Sequence, residues 1–98
     1  MSRTVIITKT AEKKLEKLFM YLLENWSTKV KSDFVKKLDK NINIIKSNPE
    51  SFTQSEKNKG MSKCVITKQT TLFYRYTPET ITIVTIFDTR QNPKKLKG

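Results

Sequence analysis

The side chains best placed to do chemistry in this sequence are Arg90, Lys94 and Lys95, a cluster of cations just beyond its most apolar run. Ile81 to Phe87 alternates β-branched and aromatic residues, Asp88 ends the apolarity, and Thr89-Arg90-Gln91-Asn92 follows before Pro93 bars further central pairing. A cation therefore stands where a buried strand leaves the core, with its backbone positioned by that strand. Such a group can hold an anion. Lys94, Lys95 and Lys97 either extend this cationic surface or form only a disordered basic end. Other chemistry is poorly supplied. The sequence has no histidine and a single cysteine, Cys64, so it offers no ligand set for zinc or haem and no thiol partner. We expect neither a metal nor a cofactor.

The element that must hold Arg90 in place is a hairpin. Leu72-Phe-Tyr-Arg-Tyr76 and Ile81–Phe87 flank Thr77-Pro78-Glu79-Thr80, where proline fixes the φ that a turn needs. In the second run Ile81, Ile83 and Phe87 fall on one side and Val84 and Ile86 on the other, which predicts a central strand covered on both faces. Upstream, Arg3 to Lys9 carries Val5, Ile6 and Ile7 and reads as a first strand. Thr10 is the expected N-cap of a helix running to about Asn25, with Glu12 in its first turn. Ala11, Leu15, Leu18, Leu22 and Trp26 form its apolar stripe, widened by Phe19 and Leu23. Trp26 is expected to plug the core at the turn. Ser27 or Thr28 caps a second helix with the stripe Val30, Phe34, Leu38, Ile42 and Ile45, which ends at Ser47-Asn48 ahead of Pro49. The short connection makes the two helices an antiparallel hairpin. A polar loop from Pro49 to Gly60 follows, pinned by Phe52, and Met61 to Lys68 reads as a strand around Cys64, Val65 and Ile66, with Cys64 as a small core residue. The order β-α-α-β-β-β predicts an α+β domain spanning 1–98, in which the helical hairpin covers one face of a small sheet and the last three strands form an antiparallel meander. The first strand should lie beside the last, and 89–98 is a basic C-terminal tail.

Composition sets the partner's sign. Twenty Lys and Arg against nine Asp and Glu give +11, a positive field that favours anionic partners without separating nucleic acid from acidic protein. Ninety-eight residues at 36% apolar content support one core and leave little room for a large enclosed pocket. The unpaired cysteine and the short apolar run at the start predict a cytoplasmic chain without a signal peptide or membrane span.

With the element order, the Lys59-Gly-Met-Ser-Lys-Cys-Val65 lead into a strand, the Tyr74-Arg-Tyr76 core and the Arg90-Gln-Asn-Pro93 tail, the chain resembles the RelE/ParE superfamily of bacterial toxins over nearly its whole length. The resemblance implies a type II toxin, neutralised by a cognate antitoxin encoded beside it, in a possible toxin-antitoxin hetero-oligomer. Two activities divide that superfamily. RelE-like members are ribosome-dependent mRNA endonucleases, and the positions that match their phosphate-handling cations are Lys57, Lys59, Lys63 and Arg75. Glu56 would then be the base and Arg75 the acid, although a solvated loop glutamate is poorly tuned for proton transfer. ParE-like members poison DNA gyrase by binding, and the Arg-Gln-Asn-Pro tail looks more like theirs. That reading is preferred here, with Arg90, Lys94 and Lys95 as the target-binding residues and the ribosome-dependent endonuclease as the alternative. A further alternative is a non-catalytic basic nucleic-acid-binding domain, against which Phe73, Tyr74 and Tyr76 lie on alternating faces of one strand instead of forming a stacking row. Arg75 reads equally as a surface cation packing its stem on neighbours and as a functional group.

Overall fold

The computed structural model describes residues 3–54 and 60–89. Its elements are β1 (Thr4–Ile7), α1 (Lys9–Asn25), α2 (Thr28–Ser47), a 3-10 turn (Pro49–Ser51), β2 (Ser62–Val65), β3 (Thr70–Tyr76) and β4 (Thr80–Asp88). The β-α-α-β-β-β order and the α+β class are as the sequence predicts. One sheet holds the strands in the order β1-β4-β3-β2. β2, β3 and β4 form the antiparallel meander, while β1 lies beside β4 and runs parallel to it, so the sheet is mixed.

Helix starts and stops follow side-chain chemistry. The cap of α1 is Thr8, two residues before the expected Thr10, because Thr8 has two tasks. Its hydroxyl accepts from Ala11 N at 3.1 Å and donates to Val84 O at 2.7 Å, joining the helix start to the central strand. Ser27, one of the two expected caps, accepts from Val30 N at 3.1 Å and opens α2. Trp26 is not a core plug. The helix ends at Asn25 and Trp26 caps it with φ −130° and ψ −100°, so the four-residue spacing from Leu22 no longer aims its ring inward, and it is 58% exposed. Leu23 is likewise exposed, because it lies well off the line of the buried Leu15, Leu18 and Leu22.

The core lies between the helical hairpin and one face of the sheet. Leu15, Leu18 and Leu22 of α1 and Phe34, Leu38 and Ile45 of α2 pack with Cys64, Leu72, Tyr74, Ile81, Ile83 and Ile86. The expected two-sided burial of β4 does not occur, because both helices pack on one face of the sheet, and a β-bulge changes which residues meet them. Phe73 pairs with Thr85 and Tyr74 with Ile83, which leaves Val84 as an extra residue in β4. The extra residue shifts the alternation by one. Ile81 and Ile83 before it and Ile86 after it all face the helices, and Phe87 moves to the opposite face, away from the isoleucines it was expected to join. β2 also ends earlier than expected, at Val65, because Thr67 folds the next residues into a turn by accepting from Gln69 N and Thr70 N at 3.2 Å each.

Candidate functional site

The sheet face turned away from the helices gathers the described cations of the expected site. Its rows follow from register: Lys63 stands beside Phe73 and Thr85, Val65 beside Thr71 and Phe87, and Arg75 beside Thr82 and Ile6. Lys63 and Arg75 are exposed and Phe73 and Phe87 half-buried, whereas Ser62, Cys64, Leu72 and Tyr74 point to the core. Lys63 and Arg75 therefore share a face. No acidic residue occupies a strand position on it among the described residues. Lys57, Lys59 and Glu56 lie outside the described residues, as do Arg90, Lys94 and Lys95. The oxygen Oγ1 of Thr85 is buried on this face without a hydrogen-bond partner among the described residues.

Although Arg90 is outside that set, the strand end leading to it is described, and it is clamped. Thr70 donates its hydroxyl to the carboxylate of Asp88, both residues being buried, and Thr89 N donates to Gln69 O at 2.9 Å. The turn between β2 and β3 thus fixes the end of β4 in direction. Neither Thr70 nor Asp88 is legible as a pair in the sequence, since they are brought together by the β3–β4 register. Arg3 is a second residue that sequence reasoning passed over. Its guanidinium donates to Thr77 O at 2.8 Å and Lys46 O at 3.0 Å and lies 6.0 Å from the centroid of Tyr76, tying the start of β1 to the β3–β4 turn and the end of α2.

Two ionisable groups beneath the sheet are held neutral. Burial pushes the Cys64 thiol up to about 11, and its sulfur donates to Asn41 Oδ1 at 3.5 Å, so it is a core residue and a poor nucleophile at neutral pH. Burial also pushes the Tyr74 phenol up to about 12, while its hydroxyl donates to Pro49 O at 2.6 Å. That bond, with the edge contact of Phe52 on the Tyr74 ring at 6.3 Å, pins the chain after α2 to the sheet, the role expected of Phe52. On the helix side, Leu22, Val30, Asp33, Phe34, Lys37, Thr67 and Gln69 line a pocket of about 210 Å³, below the usual size of a small-molecule site. Among the described residues no group of acids and cysteine is gathered to hold a metal ion, and no helix is long and apolar enough to cross a membrane.

Residues 5–93 match the sequence profile of the family described as ParE toxin of type II toxin-antitoxin system, parDE. The chain belongs to the ParE toxin family. It is thus a type II toxin-antitoxin toxin within the RelE/ParE superfamily. Solved structures repeat its fold. A chain from the chromosomal ParDE toxin-antitoxin system of P. aeruginosa superposes with a TM-score of 0.74 at 12% identity, covering 89% of this chain and 96% of that one. The YoeB/ParE toxin from Agrobacterium tumefaciens gives 0.62 at 13% identity over 87% and 96%, and a chain of the E. coli DinJ-YafQ toxin-antitoxin complex gives 0.61 at 11% over 94% and 98%. At these identities the likeness to solved structures is one of fold. No functionally curated protein is similar enough in sequence to match the chain.

Proposed function

We propose that this ParE-family toxin arrests growth by binding an essential target such as DNA gyrase, with Arg90, Lys94 and Lys95 in its basic tail making the contact. The observation that carries this reading is the chemistry of the open face. A nuclease that moves protons works best with groups that titrate near neutral pH. The described positions offer Lys63 and Arg75 around an aromatic ring, and the sequence has no histidine. This arrangement suits holding an anion. The clamp of Thr70 on Asp88 supports the role of the tail, because it gives the first basic residue beyond the sheet a fixed point of departure.

A cognate antitoxin neutralises the toxin in this reading, as the toxin-antitoxin complexes among the similar structures suggest. The +11 charge calls for an acidic segment, and the sheet edge at β1 allows one that is partly disordered to fold on binding. Apolar anchors should make its affinity fall with salt less steeply than charge pairing alone requires.

The test is induced expression with separate readouts of gyrase activity and mRNA cleavage. Arg90→Ala, or deletion from Gln91 onward, should abolish growth inhibition and gyrase poisoning while circular dichroism and thermal unfolding stay near wild type. Codon-positioned mRNA cleavage on translating ribosomes, lost in Lys63→Ala or Arg75→Ala with the fold intact, would instead establish the endonuclease.

A further inference from the structure

We infer that the pocket between α1, the start of α2 and the turn joining β2 to β3 binds a small monocarboxylate with a branched or single-ring apolar body. The inference concerns the helix side of the sheet, away from Lys63 and Arg75, and does not depend on gyrase binding by the tail. Size, floor and rim point to it together.

At about 210 Å³ the pocket excludes a nucleotide or any drug-sized molecule and limits the occupant to the bulk of one large apolar side chain. Its floor is hydrocarbon. Leu22 and Phe34, both buried, and the half-buried Val30 line it, because the last turn of α1 lies beside the first turns of α2. The apolar body of a ligand leaves water there. The rim decides the charge. Of its polar groups, Asp33 is already engaged, with its carboxylate 3.3 Å from Lys29 Nζ. The Thr67 hydroxyl is engaged as well, accepting from Gln69 N and Thr70 N and donating to Gln69 Oε1 at 3.3 Å. That last bond occupies the oxygen end of the Gln69 amide and leaves its Nε2 hydrogens as donors. Lys37 adds an ammonium with no acidic partner among the described residues. The groups left open are therefore donors, one of them charged, and a carboxylate accepts from both. An amine would meet the Lys37 charge in a chain whose field is already that of +11. A neutral apolar molecule would leave both donors unanswered. The pocket also adjoins the tail's point of departure. Gln69 lines it, and the Gln69 carbonyl accepts from Thr89 N at 2.9 Å, so an occupant touches the residue that holds the end of β4.

The test is NMR titration of the isotope-labelled full chain with isocaproate, isocaproamide, isoamylamine, leucine and N-acetylleucine. Isocaproate, a ligand of about eight non-hydrogen atoms, should bind with a dissociation constant on the order of 1 mM. It should move the methyl signals of Leu22 and Val30 and the amide signals of Thr67, Gln69 and Thr89. The amide and the amine should bind about fivefold more weakly or worse. Lys37→Gln should weaken isocaproate by about fivefold and erase its advantage over the amide. Lys13→Gln, which lowers the net charge equally but lies in the first half of α1, should do neither. Asp33→Asn should keep or tighten binding, and Val30→Phe, which fills the pocket, should abolish it. Thermal unfolding of each variant guards against loss of fold, and Lys37 is exposed, so Lys37→Gln decides the matter even if Val30→Phe does not fold. The proposal is overturned if the amide binds as tightly as the carboxylate, if Lys37→Gln and Lys13→Gln have equal effects, or if the shifts spread over surface lysines and spare Leu22 and Val30. Tighter binding of leucine would assign the pocket to amino acids, and tighter binding of N-acetylleucine would assign it to the end of a peptide chain. Either result overturns it too.

Discussion

Tyr74 concentrates several demands in one hydroxyl. The residue is fully buried, which holds its phenol protonated, and its hydroxyl donates to the carbonyl of Pro49. Tyr74→Phe leaves that carbonyl without its donor and should cost about 1 to 2 kcal/mol in urea unfolding. The raised acidities also set a pH limit. In the unfolded chain Cys64 and Tyr74 lose protons near their ordinary values of 9.0 and 10.0, whereas the folded chain retains them to about 11 and about 12. Above pH 9 the unfolded state therefore binds fewer protons than the native state, and stability falls as pH rises through this window. Urea midpoints should be flat with respect to these two groups up to about pH 9 and decline beyond it, and Cys64→Ala should remove the earlier part of the decline. Thr85 is the reverse case. Its buried hydroxyl has no partner among the described residues, so Thr85→Val keeps the shape, removes an unsatisfied group and should leave the melting temperature unchanged or raise it.

At the scale of the element, β4 decides how much each of its residues is worth. Ile83 is fully buried against the helices, and Ile83→Ala should cost about 2 to 5 kcal/mol in chemical unfolding. Phe87→Ala, on the open face, should cost less, about 1 to 2 kcal/mol, despite the larger side chain. Equal losses would mean that the two sides of the strand are equally buried. This contrast was hidden in the sequence. Strict alternation from Ile81 to Phe87 puts Phe87 on the side of Ile81 and Ile83, with both sides expected to be covered, and nothing in the residue types marks Val84 as the place where a residue is skipped. The helices were legible because Leu15, Leu18, Leu22, Phe34, Leu38 and Ile45 repeat at helical spacing, and the last hairpin because Pro78 separates two strand-forming runs; the turn at Thr67, read as strand, was not. What could not be read depends on register. Thr8 reaching Val84, Thr70 meeting Asp88 and Lys63 facing Phe73 are all products of strand pairing, and pairing is specified by the whole sheet.

The largest scale is set by the first strand lying beside the last. β1 completes the sheet along β4, Arg3 fastens it to Thr77 and Lys46, and Thr8 N donates to Ile83 O at 3.1 Å. Deleting residues 1–7 should therefore abolish cooperative thermal unfolding, although no core residue of the helices is removed. The same pairing has a meaning for synthesis. Ile7 leaves the decoding centre long before Thr80, and at ordinary elongation rates the interval is roughly 4 to 15 s. For that time Val5, Ile6 and Ile7 have no strand to join, and the helical hairpin has no sheet to cover. A messenger broken or stalled anywhere before Asp88 yields a fragment that cannot close. Growth inhibition should therefore depend on chains made past Asp88, and expression of a chain stopped before Thr80 should leave growth unchanged.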